Sequence, residues 1–567
     1  MTGHRYITDP RLALSRGPRL ADEGGIGALS LGGFLEEVAA RFAEREALVF
    51  PREDGGTLRW SYADLRSEAR AVAKALIADG LARGERVGVL MTNRPEFLAS
   101  VFGVALAGGV AAPISTFSTA AELAHLLEVS GVSLLLFDAA VLRKDFAAIL
   151  AEIEPEVAQA SPGRFASLRF PFLRRLVGVG GESRGAILDW NAWLSRGAPI
   201  AEARITARAA AVKPADPGGL FFSSGSTARP KAILSAHRGI ALQMWRMGRQ
   251  QGLGPGVRSW TANGFFWSGN FAMIVGGTLA LGGAIVLQRV FEPEAALAMM
   301  ADERVSFLFA WPHQWEQLIA APNWENVDLS SLTYIDAQSP VARHPTVHSH
   351  WVEPRHCYGN TETFTLSAAY PAMTSREEAA QSHGLPLAGN TLKIVDPLSG
   401  RILPIGERGE LAVKGPTLML GYLGTPLDET LDAEGFFRTG DGGWIDGEGR
   451  LHWQGRLNDI IKTGGANVSP LEIDAVIQAC PGVRLVQTVG VPHETLGEIV
   501  VACVIAHPGA ALDEDIVRAH ARAALASYKV PRRVLFFAEG ELAQTGSAKI
   551  KTADLRAAAA RRLAQDG

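Results

Sequence analysis

The chain has little cysteine and no strong charge imbalance, and both absences narrow what it can be. Its 567 residues contain only three cysteines, Cys357, Cys480 and Cys503. They are far apart, odd in number and paired with no histidine at metal-ligand spacing, which argues against a disulfide framework and a structural zinc and suits a reducing cytoplasm. With 55 Lys and Arg against 59 Asp and Glu, the formal charge is −4, leaving no positive excess for a polyanion. The local basic stretch Arg164, Arg169, Arg174 and Arg175 reads as a solvated face rather than a nucleic-acid site. The opening Met1-Thr-Gly-His-Arg-Tyr6 lacks the apolar run of a secretory signal, so the expected location is cytoplasmic.

Charge is also missing from all of residues 259–288, a stretch long enough to cross a bilayer. Gly276, Gly277, Gly282 and Gly283 interrupt it, however. A core helix over 270–281 followed by a buried strand over 284–287 accounts for the run without lipid, and no integral membrane segment is expected.

What is present is a long α/β texture. With 47% hydrophobic residues the chain can bury several cores, and two or more domains are expected. From residue 86 an apolar run (87–91), a turn with Asn93 and Pro95, a helical run (96–107), Gly108-Gly109 and a second apolar run (110–113) make one βαβ unit. Apolar runs at 132–137, 284–287, 307–310 and 332–335 predict further buried strands between helices. After Gly435 the texture changes to short strands and glycine turns, with a hairpin over 444–450 and a smaller α+β unit following. In that unit Ser469-Pro470-Leu471-Glu472 supplies an N-cap, a first-turn proline and a third-position glutamate, predicting a helix over 470–479. Strands over 484–491 and 498–505 and a helix over 513–525 complete it.

Four constellations carry chemistry. Leu220-Phe-Phe-Ser-Ser-Gly-Ser-Thr-Ala-Arg-Pro-Lys231 runs from a strand into a loop of hydroxyls and glycine ending in lysine, which can aim N–H groups and hydroxyls at phosphate oxygens. Its glycine-to-lysine spacing is not that of the P-loop. Tyr358-Gly-Asn-Thr-Glu362 offers a carboxylate able to hold Mg²⁺ on nucleotide phosphates, although a capping role explains it equally well. Phe437-Arg-Thr-Gly-Asp441, followed by Gly455-Arg456, supplies an acceptor for ribose hydroxyls and a cation for phosphate; an ordinary turn and a surface ion pair would explain either taken alone. Thr545-Gly-Ser-Ala-Lys549 presents a lysine on a small-residue loop, which is either simply solvated or able to neutralise a transferred phosphoryl group. Their joint occurrence in one order is what carries weight.

Together these motifs resemble the adenylate-forming superfamily of acyl-CoA synthetases, luciferases and peptide-synthetase adenylation domains, over residues 31–555. Gly409-Glu-Leu-Ala-Val-Lys-Gly-Pro416, Gly421-Tyr422 and Lys462-Thr-Gly-Gly-Ala-Asn-Val-Ser-Pro-Leu-Glu-Ile473 extend the resemblance. It implies an α/β fold with a large N-terminal domain of mixed sheets and helices, 1–457, that binds nucleotide and acid. A small mobile α+β C-terminal domain, 458–567, follows and rotates between two half-reactions. It further implies ATP, Mg²⁺ and coenzyme A as cofactors and a small carboxylic acid as substrate, with no nucleic-acid partner; a homodimer is compatible with this reading. By position, Ser223, Ser224, Gly225, Ser226, Thr227 and Lys231 resemble the phosphate loop. Ser339, Tyr358, Gly359, Asn360 and Thr361 fall at nucleotide contacts, Glu362 at the Mg²⁺ ligand, and Asp441, Arg456 and Lys462 at ribose and phosphate contacts. Lys549 resembles the catalytic lysine of adenylation, Asn458 the hinge, and Gly464 and Gly465 the loop that flanks the pantetheine tunnel after rotation. The implied catalytic set is Lys549, Glu362, Thr361 and Lys231.

Two features refine the resemblance. Ala228, Ala232 and Ala548 stand where the family usually has glycine, and if any of these positions needs a positive φ the alanine is strained by roughly 1–2 kcal/mol. Trp267 takes the place of the aspartate that pairs with the amine in peptide-synthetase domains, which disfavours an α-amino acid; Trp267 as plain core is an equal alternative. Trp267, Asn270, Phe271 and Gln338 are the candidates for lining the acyl pocket, suited to a fatty, alicyclic or aromatic acid. The expected reaction is acyl-AMP formation with release of pyrophosphate, then thioester formation on CoA with release of AMP. The alternative is an acyl-AMP ligase that passes its product to a carrier protein or another acceptor.

Overall fold

The computed structural model describes the chain apart from residues 1–5, 8, 10, 53–54, 224–229, 355, 380–381, 458–460, 469, 539–540, 542–551 and 567. Its largest sheet has eight strands in the order Ile187–Asp189, Arg175–Val179, Leu134–Asp138, Arg86–Leu90, Val110–Pro113, Pro217–Ser223, Lys231–Ala236, Gly421–Tyr422. The first six pair in parallel and the last three antiparallel. The parallel strands are apolar on both faces because helices cover both sides. This explains the unbroken apolar runs at 87–91 and 110–113.

A second, five-stranded sheet (Phe307–Phe309, Arg258–Thr261, Ala284–Val286, Glu46–Pro51, Thr57–Ser61) shares the main apolar core with the first. Helices Leu31–Phe42, Tyr62–Ala78, Pro95–Leu106 and His237–Gln250 fill the space between them. Buried Tyr62 ties the layers together by donating to the carbonyls of Leu279 (3.2 Å) and Gly283 (2.7 Å).

The charge-free stretch forms consecutive helical turns, Ser268–Asn270, a π-turn Phe271–Gly276 and Gly277–Leu279, followed by the strand Ala284–Val286. Its glycines have a packing reason. A Cβ on Gly276 would lie 2.4 Å from Met244 Cα, so only glycine lets this segment meet the His237–Gln250 helix backbone to backbone. No helix among the described residues is long and apolar enough to cross a membrane. The basic stretch spends its charge locally, with Arg169 on Glu128, Arg174 on Glu85 and Arg175 on Asp79.

The strand expected over 332–335 does not form. Tyr334 makes a single parallel bridge to Phe307, because the chain turns at Asp336, whose carboxylate accepts from Gln338 N (2.9 Å) and pairs with Arg376 (2.6 Å). Leu332 and Ile335 are still buried.

A third sheet, Leu14–Arg16, Thr391–Val395, Gly409–Lys414, Phe437–Ile445, Leu451–Arg456, is antiparallel. After it comes a separate core. Helices Pro470–Gln478 and Glu514–Ala524 pack on a sheet of Ala466–Val468, Ile461–Thr463, Gly497–Ala506 and Val483–His493, with Arg533–Phe536 added in parallel. The apolar clusters of this unit draw only on residues from Ile461 onward, so it has a hydrophobic core of its own.

Candidate active site

Strands Pro217–Ser223 and Lys231–Ala236 form an antiparallel pair whose last matched residues are Ser223 and Lys231. The hydroxyl-rich loop is therefore the connection of a hairpin. Ser224, Gly225, Ser226, Thr227 and Ala228 lie outside the described residues, as do Asn458, Ala548 and Lys549. The two loop ends line a cavity of about 920 Å³. Ser223 brings to it a buried hydroxyl oxygen with no hydrogen-bond partner among the described residues. Lys231 brings an ammonium 4.7 Å from the centre of the Tyr422 ring, and the Tyr422 hydroxyl donates to Glu362 Oε1 at 2.8 Å. Cation, phenol and carboxylate thus share one wall. Ala232, one of the glycine departures, is a buried strand residue paired with Phe222 and has no positive φ, so no strain arises there.

Glu362 reaches the cavity through a tight turn. Gly359 has no room for a side chain, since a Cβ would lie 1.5 Å from Thr365 O. Asn360 caps the single turn Thr361–Thr363 by accepting from Thr363 N at 2.9 Å. Phe364 (φ 46°) and Thr365 (φ 88°) then adopt left-handed backbone, a strain of about 1–2 kcal/mol each for L-residues. Hydrogen bonds from Phe364 N to Thr361 O and from Thr365 N to Asn360 O, both 3.1 Å, hold the turn. Met419 N donates to Glu362 O at 2.7 Å, fixing the backbone while the carboxylate points into the cavity.

Asp441 lies behind the cavity wall formed by Thr439 and Gly440. Its carboxylate accepts from the Tyr358 hydroxyl at 2.7 Å, and its amide donates to Thr439 Oγ1 at 3.1 Å. Arg456 faces Asp441 across the strand pair; the Arg456 side chain is outside the described residues. Lys462 sits over the Trp453 ring at 3.2 Å from its centre, and its amide donates to Glu498 Oε2 at 2.7 Å. Ser339 is buried and accepts from Val341 N at 3.2 Å, capping a turn away from the cavity.

Of the residues expected to line an acyl pocket, Trp267 and Asn270 do face the cavity. Phe271 instead enters the core, 6.5 Å from the Phe221 ring. Gln338 is exposed, accepts from Arg376 Nη1 at 2.7 Å and lies outside the lining. The sequence reading missed a polar group on the same wall. Buried Asn263 accepts from Gln314 Nε2 at 3.2 Å, and the Asn270 amide donates to Asn263 O at 2.6 Å. The Asn263 amide nitrogen itself is buried with no partner among the described residues. A signal existed in these amides standing inside a charge-free apolar run.

The C-terminal unit contributes to the same cavity. The turn between Ile461–Thr463 and Ala466–Val468 is Gly464 (φ 53°) and Gly465 (φ 81°), both lining the cavity. Gly465 lies flat on the Trp311 indole, where an added Cβ would be 2.3 Å from a ring carbon. Burial, with Arg532 adding to it, holds the neighbouring His313 below its usual imidazole range, so it is neutral at pH 7. Tyr528, also from this unit, meets Trp267 edge-on at 6.0 Å. The walls therefore present a polar end carrying Ser223, Lys231 and Glu362, an apolar stretch interrupted by the amide of Asn263, and a glycine turn from the C-terminal unit.

Against this geometry stand the likenesses. The AMP-binding enzyme model matches residues 35–423, and the AMP-binding enzyme C-terminal domain model matches 472–549. A feruloyl-CoA synthase of Amycolatopsis is 31% identical over 515 residues, 88% of this chain and 94% of that one. A methyl-dioxo-octahydroindenyl-propanoyl:CoA ligase of Rhodococcus jostii is 30% identical over 525 residues, again 88% and 94%. Among solved structures, an amide bond synthetase from Marinactinospora thermotolerans superimposes with a TM-score of 0.71 at 26% identity, covering 92% of this chain and 99% of that one.

Proposed function

The chain belongs to the AMP-binding enzymes of the acyl-CoA synthetase kind, and from its site we propose how it performs that family's two steps and on which acids. It is an AMP-forming acid:CoA ligase. The observation that carries the assignment is the meeting, in one cavity, of the phosphate-loop ends and Glu362 with the glycine turn of the C-terminal unit.

In the first step a carboxylate oxygen of the acid attacks the α-phosphorus of ATP, and the bond from that phosphorus to the α,β-bridging oxygen breaks to release pyrophosphate. There is little covalent work for the protein, so positioning and charge neutralisation dominate. Lys231, its ammonium held over Tyr422, and Ser223 face the phosphates; Asp441, oriented by Tyr358, accepts from the ribose hydroxyls; Lys549 arrives from the C-terminal domain. Glu362 suits Mg²⁺, because one carboxylate beside the phosphates leaves the other positions to phosphate oxygens and water, the ligation this cation prefers. Bound there, the ion supplies further charge neutralisation. In the second step the CoA sulfur attacks the acyl carbonyl carbon, the bond to the phosphate oxygen breaks, and AMP leaves. Gly464 and Gly465 lining the cavity support reading this arrangement as that of the second step, and we place the domain boundary between Leu457 and Asn458, with the hinge at Asn458.

The acid is a ring-bearing one that carries an oxygen acceptor. Trp267, Phe309, Met273 and Trp311 give the pocket apolar walls, while a buried donor left without a partner, as Asn263 is among the described residues, costs about 1–3 kcal/mol unless the ligand accepts from it. A carbonyl, phenolic or ether oxygen meets that need. The acids named for the two relatives, feruloyl and dioxo-octahydroindenyl-propanoyl, both answer to this description. A second reading, transfer of the acyl group to an acceptor other than CoA, draws support from the likeness to the amide bond synthetase. Pyrophosphate release measured over a panel of fatty, alicyclic and aromatic acids, with and without CoA, tests all of this. CoA thioesters of oxygenated ring acids are expected; pyrophosphate release without any thioester would transfer the assignment to the second reading.

A further inference from the structure

The Ala120–Ser130 helix begins with a capping box in which Thr119 accepts from Glu122 N at 3.3 Å and Glu122 Oε2 accepts from Thr119 N at 3.0 Å. Capping occupies only one oxygen of Glu122. The other, Oε1, accepts across the domain boundary from Ala526 N at 3.0 Å and from Lys529 Nζ at 3.1 Å. Thr119 adds a hydrogen bond from its hydroxyl to Ala524 O at 3.2 Å. Lys529 also donates to Glu472 Oε1 at 2.7 Å, and all three charged side chains are buried.

We propose that Glu122 and Lys529 form an interdomain latch that holds the C-terminal unit in the orientation used for thioester formation, making Glu122 a positioning residue for the second half-reaction. The proposal rests on the acid:CoA ligase reading above. Three observations support it. First, the pair joins the element that brings Tyr528 against Trp267 to the element next to the phosphate loop, where His125 of the same helix lies 3.3 Å from Pro230 O. Second, two donors from the C-terminal unit, Ala526 N and Lys529 Nζ, converge on the one oxygen Oε1 of Glu122, which fixes the approach of that segment in direction as well as distance. Third, each partner has somewhere to go when the latch opens. Lys529 travels with Glu472, which sits in the same domain, and Glu122 stays with the helix cap and gains water. The latch can therefore release without stranding a charge, as a domain that must rotate every turnover requires.

The clean variant is Glu122→Gln, which keeps the neighbouring Lys529–Glu472 pair and so leaves the C-terminal fold intact. The assays are ATP–pyrophosphate exchange with the acid that releases most pyrophosphate in the panel above, and thioester formation from the synthetic adenylate of that acid with CoA. If the latch selects the orientation, its weakening lowers the competent fraction, and the apparent KM for CoA rises about tenfold while exchange stays within about twofold. Lys529→Arg, which keeps the charge, is expected to stay close to the wild type. An unchanged CoA dependence in Glu122→Gln, or an equal fall in exchange and thioester formation, overturns the latch. Failure of the wild-type chain to form any thioester would instead overturn the ligase reading.

Discussion

Gly465→Ala separates the two half-reactions by geometry. Gly465 has φ 81° and rests on the Trp311 indole, where an added Cβ would be 2.3 Å from the nearest ring carbon. Two penalties follow, and they behave differently. The left-handed backbone disfavours alanine by about 1–2 kcal/mol, but the turn carries that strain in either orientation of its domain. The clash exists only while the turn is against Trp311. Carbon atoms in contact sit about 3.5 Å apart, so the turn must withdraw by about 1 Å, and overpacking of this kind typically costs 1–3 kcal/mol. Taking about 2 kcal/mol, thioester formation from supplied acyl-adenylate slows roughly thirtyfold. Pyrophosphate exchange, which does not need the turn in the cavity, keeps most of its rate. The double variant Gly465→Ala/Trp311→Ala removes the clashing ring, so the effect of the alanine on thioester formation should largely disappear in that background, a non-additivity expected of residues in contact. Unimpaired thioester formation in Gly465→Ala, or the same alanine effect with and without the Trp311 ring, would refute the placement of this turn against the indole during the second step.

Other expectations are shorter. Lys549→Ala should abolish acyl-AMP formation yet largely spare thioester formation from supplied acyl-AMP, and equal loss of both would end the rotation model for this chain. Tyr358→Phe removes the hydrogen bond that orients Asp441, and since bonds to a charged group contribute about 1.5–3 kcal/mol, the KM for ATP should rise on the order of tenfold with thioester formation from acyl-AMP unchanged. Asp474, whose carboxylate accepts from Thr488 N at 2.7 Å, is pushed up to about 7 by burial. A carboxyl raised on folding contributes stability below its unfolded value and loses that contribution as pH rises through about 7, so the window is pH 4–7. Between pH 5 and 8 the wild type should lose about 1–2 kcal/mol more than Asp474→Asn in denaturant unfolding, the figure discounted for partial exposure; parallel pH profiles would count against it.

Much was legible before any coordinates because the signals were local. Strand runs such as 87–91, the Ser-rich loop ending at Lys231, and the glycine pair 464–465 each follow from steric and hydrogen-bonding rules acting within a few residues. The 332–335 run failed because it is apolar for a core reason rather than a pairing one: Asp336 turns the chain before a ladder can form. Phe271 and Gln338 were misplaced for a similar reason, since motif position says which segment nears a pocket but not which side chain on it turns inward. Asn263 was invisible because it belongs to no charged or glycine-rich pattern, and the Gly421-Tyr422 motif said nothing of the bond its phenol makes to Glu362; each matters through a neighbour distant in the chain.

By itself the amino-acid order pointed to the reaction class, because four short patterns, each with an ordinary explanation when taken alone, stand together in one order and carry a family resemblance. Tertiary structure decided what depends on approach between remote segments. It paired the Glu362 carboxylate with the Tyr422 phenol, laid Gly465 on Trp311, left the Asn263 donor in an apolar wall with no partner among the described residues, and gave the second oxygen of a helix-capping glutamate to a lysine some four hundred residues away. Such contacts arise from how two sheets and a second core settle against each other, and no local spacing encodes them.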